Sequence, residues 1–158
     1  MYTRILVPID GSPTSDRALE EASQLALLTG AQVRLLHIVG PAGQVRGFPR
    51  PDAPAAPDLA QARQEGQALL ARAREQLAGA GVPTDAELIE QRDASVARLV
   101  VEYASDWGAS LIVLGTQGKH GIERMLLGSD AEQIARYAAM PVLLVRRPPK
   151  GGARAASA

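Results

Sequence analysis

Residues 111–130 read LIVLGTQGKHGIERMLLGSD. The opening Leu111–Leu114 run is apolar without interruption, the pattern of a strand buried on both faces in a parallel sheet covered by helices. Glycines follow at 115, 118, 121 and 128, and Ser129 with Glu132 sets a Ser-x-x-Glu capping pattern at the start of a helical segment. Glycine allows close backbone approach, so successive N–H groups in such a turn form a nest for phosphate oxygens, and the helix dipole adds positive potential. The stretch therefore predicts an α/β unit whose strand-to-helix turn faces an anion.

Working outward, the same rhythm fills the chain. Strands are expected at Arg4–Ile9, Gln32–Ile38, Asp85–Ile89, Leu111–Gly115 and Pro141–Arg146. Between them lie four segments of helical periodicity, which predicts a doubly wound parallel sheet with helices on both faces. The first helix is expected to start at Ser12 as N-cap with Pro13 as its first residue and to stop at Gly30. The second covers Leu59–Ala78. The third follows Asp93 as N-cap, carries Val96, Leu99, Val100 and Tyr103 on one stripe and ends near Gly108; the fourth opens at Ser129. Gly40–Asp58 holds five of the eleven prolines and reads as a long, mobile surface loop, while Pro148–Ala158 reads as a disordered tail. Residues 1–147 are then one domain.

Composition narrows the function. Seventeen Lys and Arg balance seventeen Asp and Glu, so no net field draws nucleic acid or an anionic membrane. Aromatics are 3% of residues, too few for a stacking platform for single strands, and the absence of cysteine removes disulfides, thiolate metal sites and cysteine nucleophiles. No apolar run approaches the roughly 18 residues of a membrane span, and Ile5–Val7 is shorter than the core of a signal peptide. A cytoplasmic location is expected.

In a strand order such as 3-2-1-4-5 the chain changes direction across the sheet between strands one and four, opening a crevice at their carboxyl ends. Asp10, in Pro8-Ile9-Asp10-Gly11-Ser12, stands at that mouth. It reads either as a turn residue bonding its own backbone or as a ligand contact. Ser129 and Glu132 alone make a sufficient helix cap; the glycine spacing is what turns them toward phosphate. His37, inside an apolar strand, reads as a hydrogen-bonded core residue rather than a base. Lys119, His120 and Arg124 are exposed charges or phosphate contacts. The spacing is neither a Walker A loop nor, after strand one, a dinucleotide-binding fingerprint.

Gly115-x-x-Gly118, nine residues, then Gly128-Ser129 resembles the G-2x-G-9x-G-[ST] motif of universal stress proteins of the ATP-binding type. The resemblance extends over residues 2–147, through Ile5–Ser12, Leu35–Ile38 and Met140–Val145. It implies a five-stranded sheet in the order 3-2-1-4-5, a homodimer joined through Val142–Val145, and ATP as ligand with weak hydrolysis at most. It also implies that Pro8, Asp10 and Ile38 surround adenine and ribose, that Leu114 and Gly115 lie beside the ribose, and that Gly118, Gly128, Ser129 and the backbone of Asp130 hold the phosphates. One departure stands out: Asp130 replaces a residue commonly small and apolar in the family. Its carboxylate complements the helix dipole and competes there with phosphate, unless Lys119, Arg124 or a bridging Mg²⁺ or Mn²⁺ offsets it. The competing readings are a nucleotide-free dimeric scaffold and a slow ATPase or phosphotransferase. No protein partner is named by the sequence.

Overall fold

The computed structural model describes residues 1–40, 59–91, 94–116 and 127–147. Along the chain these form β1 (Arg4–Pro8), α1 (Pro13–Thr29), β2 (Gln32–Val39), α2 (Leu59–Gly79), β3 (Thr84–Glu90), α3 (Val96–Trp107), β4 (Leu111–Gly115), α4 (Ser129–Tyr137) and β5 (Val142–Val145). The sheet runs β3-β2-β1-β4-β5 with every neighbouring pair parallel. Both the α/β class and the 3-2-1-4-5 order match the expectation.

Strand side chains alternate between two cores, as the period of two requires. Ile5, Val7, Leu35 and Val113 pack with Ala18, Leu19 and Ala22 of α1 and with Leu70 and Leu77 of α2. Leu6, Leu36, Ile112 and Leu114 pack on the opposite face with Val100 and Ala104 of α3 and Ile134 of α4. Because both faces are covered, the central strands β1 and β4 carry no polar alternation, which is why their sequences read as uninterrupted apolar runs. The edge strand β3 is half-buried and carries Asp85, Glu87 and Glu90. Charge on an edge disfavours uncontrolled pairing.

Strand and helix ends shift by a residue or so. β1 stops at Pro8, one residue short of Ile9, β2 and β3 run on to Val39 and Glu90, and β5 is trimmed to Val142–Val145. Two caps differ for physical reasons. Helix α3 is capped by Ser95, whose Oγ accepts the Arg98 N–H at 3.1 Å. The Gln91 side-chain oxygen accepts the Ala94 N–H at 2.7 Å, which sets the preceding turn and leaves Ser95 in the cap position. Asp93, the expected cap, lies outside the described residues. Helix α4 starts from Gly128, whose carbonyl accepts the Glu132 N–H at 2.9 Å, so Ser129 is the first helical residue and the Ser-x-x-Glu box does not form. Glu132 pairs instead with Arg136 at 3.1 Å, one turn along. Of the expected loop only Gly40 is described; the rest of Gly40–Asp58 and the tail Pro148–Ala158 lie outside the described residues.

Candidate functional site

The carboxyl ends of β1, β2 and β4 and the first turns of α1, α3 and α4 surround one cavity of about 550 Å³. That volume is in the range of small-molecule and cofactor sites. It sits where the sheet order reverses, β1 being paired with β2 on one side and β4 on the other. Pro8, Asp10, Ile38, Leu114, Gly115, Gly128, Ser129 and Asp130 all line it. Gly118, with Lys119, His120 and Arg124, lies outside the described residues.

The cavity lining is mixed: Leu36, Ile38, Val96, Val100 and Ile134 offer apolar surface suited to a flat apolar group, and Asp10, Ser12, Ser15, Ser129 and Asp130 offer polar groups. Sequence reading took Val96 and Val100 only as a core stripe. Their place in the first turns of a helix was the available signal, because in a parallel α/β fold helix N-termini face the same edge as strand C-termini.

Gly115 is required by close packing. A Cβ there would lie 2.5 Å from Thr14 Oγ1 and 2.6 Å from the Thr14 carbonyl carbon, so the end of β4 lies directly on the first turn of α1. This brings the β4 exit and the α1 entry to one edge of the cavity.

At α1 the chain satisfies its own terminus. Ser12 Oγ accepts the Ser15 N–H at 3.2 Å, Asp10 Oδ1 accepts the Ser12 N–H at 2.9 Å, and the Asp10 N–H donates to Ser15 Oγ at 3.2 Å. Asp10 thus has the turn role considered from the sequence and also faces the cavity.

At α4 no side chain caps the helix. The Gly128 N–H donates to the Thr116 carbonyl at 2.6 Å, tying the helix entry to the end of β4. The N–H groups of the first turn have no acceptor within their own helix, and the positive end of the dipole lies there. Asp130 stands beside them. It is open to solvent along one side, but the concave wall behind it removes enough water that burial, and secondarily the Asp10 carboxylate, push its carboxyl above the ordinary range. Asp16 on α1 is shifted upward too, first by burial and then by Asp10 and Glu20. Among the described residues no cluster of three or more His, Asp or Glu could hold a metal ion. A divalent cation would take much of its coordination from phosphate and water, as Mg²⁺ commonly does.

His37 borders the cavity and its Nδ1 lies 2.7 Å from the Ile9 carbonyl. A carbonyl only accepts, so Nδ1 carries the proton and the ring is fixed as a hydrogen-bonded packing residue. Room for it comes from Gly66 in the middle of α2, where a Cβ would lie 2.5 Å from His37 Cδ2 and 2.9 Å from Leu88 Cδ1. Nothing at the sequence level connected these residues.

The chain resembles known proteins over nearly its full length. The model of the universal stress protein family matches residues 1–146. Universal stress protein MJ0531 of Methanocaldococcus jannaschii is 36% identical, with 95% of this chain and 85% of that protein covered. Among solved structures, a universal stress protein family member from Burkholderia pseudomallei has a TM-score of 0.69 at 30% identity, covering 91% of this chain and 96% of the other. A universal stress protein solved in complex with cAMP has a TM-score of 0.64 at 28% identity, covering 91% and 98%. With the family model matched along nearly the whole chain and a relative 36% identical over 95% of it, the chain belongs to the universal stress protein family.

Proposed function

We propose that this protein binds an adenine nucleotide, ATP, in the cavity between β1 and β4, and acts in the cytoplasm as a stress-response protein through nucleotide-dependent conformation or partner binding. One observation carries the reading: the separated motif residues Gly115, Gly128 and Ser129 converge with Pro8, Asp10 and Ile38 on a single cavity lined by apolar side chains and by an uncapped helix N-terminus. The cAMP complex of a relative supports the ligand class.

In this reading Ile38 and Pro8 hold the base, Asp10 and Leu114 lie at the ribose, and the backbone of Ser129 and Asp130 meets the phosphates. Gly115 and Gly128 act through the close approach they allow, since the Gly128 N–H is already given to Thr116. Gly118 enters from the motif alone. Mg²⁺ or Mn²⁺ accompanies the phosphates, and hydrolysis is weak at most. The domain runs through residue 147. A second copy joins along β5, covering Leu143, which is 38% exposed on that edge strand. Among the described residues no helix is long and apolar enough to cross a membrane.

The test is to purify the protein without added ligand, denature it and identify any released nucleotide, then follow melting with and without MgATP. Occupancy at 100 times Kd stabilises the fold by about 2.7 kcal/mol. Neither release nor stabilisation at millimolar nucleotide would overturn the reading and leave a nucleotide-free scaffold.

A further inference from the structure

We propose that Asp130 is a charge filter: its carboxylate, held at the α4 N-terminus, lowers the affinity of the site in proportion to the negative charge a nucleotide brings, so that affinity does not climb from adenosine to ATP. This deepens the nucleotide-binding reading and rests on it.

The argument is one of charge placement. Among the described residues that line the cavity, the acidic side chains are Asp10 and Asp130, and no Lys or Arg is present. The positive potential on this part of the wall comes from the backbone N–H groups of α4. Asp130 sits in the same turn. Gly128, which would widen the donor set, has given its N–H to the Thr116 carbonyl at 2.6 Å. A neutral nucleoside brings no charge for the Asp130 carboxylate to repel. Each added phosphate charge that approaches these N–H groups meets the carboxylate beside them. Asp10 is present in wild type and variants alike, so its repulsion cancels in the comparison between them.

The experiment is calorimetric titration of the intact protein with adenosine, cAMP, AMP and ATP, first in EDTA and then in excess Mg²⁺. The proteins compared are wild type, Asp130→Asn, which keeps the shape and removes the charge, and Asp130→Glu, which keeps the charge. The expected result is that Asn raises ATP affinity about tenfold, AMP and cAMP progressively less, and leaves adenosine unchanged, while Glu retains the wild-type order. An equal change for all four ligands would overturn the filter in favour of a steric role. Loss of ATP affinity in Asp130→Asn confined to Mg²⁺ would overturn it in favour of a cation ligand. If adenosine binds and the charge profile is the same in all three proteins, the filter alone fails. If no ligand binds any of them, the nucleotide reading fails and the filter with it.

Discussion

Two helices point their N-termini at the same cavity and end in opposite ways. Helix α1 closes on itself: Pro13 occupies its first turn, Ser12 caps it, Asp10 and Ser15 bind the turn before it, and Ser12, Thr14 and Ser15 are buried. Helix α4 begins on a glycine with no side-chain cap, leaving Ser129 and Asp130 on the exposed rim. A helix end that is fully satisfied by its own chain is a structural element; one left open beside a cavity is a place for a ligand's oxygens. Both termini are needed, because the closed one fixes the position of β4 from which the open one is reached.

The largest effect should come from separating β4 from the closed terminus. Gly115→Ala would place a methyl 2.6 Å from the Thr14 carbonyl carbon, which is main chain and has no rotamer to adopt. Overpacking of this kind destabilises by roughly 3 kcal/mol, about 10 °C in Tm for a chain of this size. Thermal unfolding measures it, and an unchanged Tm would show that α1 and β4 are free to move apart.

Removing the cap itself is a smaller change. Ser12→Ala deletes the acceptor of the Ser15 N–H at 3.2 Å and should lower stability by about 1 kcal/mol, read as a shift of the urea midpoint at constant slope. Nucleotide affinity should move little. A large loss of binding with stability intact would show that the α1 terminus touches ligand and that the contrast between the two helices is false.

The contrast was partly legible from residue types. Ser12-Pro13 announced the closed terminus because an N-cap followed by proline is a local signal, complete within a few residues. The positions of the strands followed from their uninterrupted apolar runs, and their order from the family resemblance that the motif spacing carries. The open terminus was misread, since Ser129 and Glu132 also form a local capping pattern, and only the Gly128–Thr116 hydrogen bond, a contact between strand and helix, shifts the cap by one residue. Likewise Gly66 reads as a poor helix residue until His37 and Leu88 are seen against it. What lay in neighbouring residues could be read; what depended on two distant segments meeting could not.

The smallest expected effect concerns the charge at the open end, without any ligand. Burial and the Asp10 carboxylate raise the Asp130 carboxyl above its ordinary 3.8, so the fold holds that proton more tightly than the unfolded chain does. The sign follows from linkage: protonated Asp130 favours the fold, and that contribution is complete below the unfolded value near 3.8 and is lost as pH rises through the higher folded value. At neutral pH the charged carboxylate therefore opposes folding slightly. Asp130→Asn should melt above wild type at pH 7, with the difference shrinking toward zero as pH falls below the ordinary carboxylate range. Asp16 is shifted in the same direction but is present in both proteins, so it cancels in the comparison. A difference in Tm that does not depend on pH would mean that Asp130 feels neither the cavity wall nor Asp10, and the open terminus would then be as indifferent to charge as an ordinary solvated helix end.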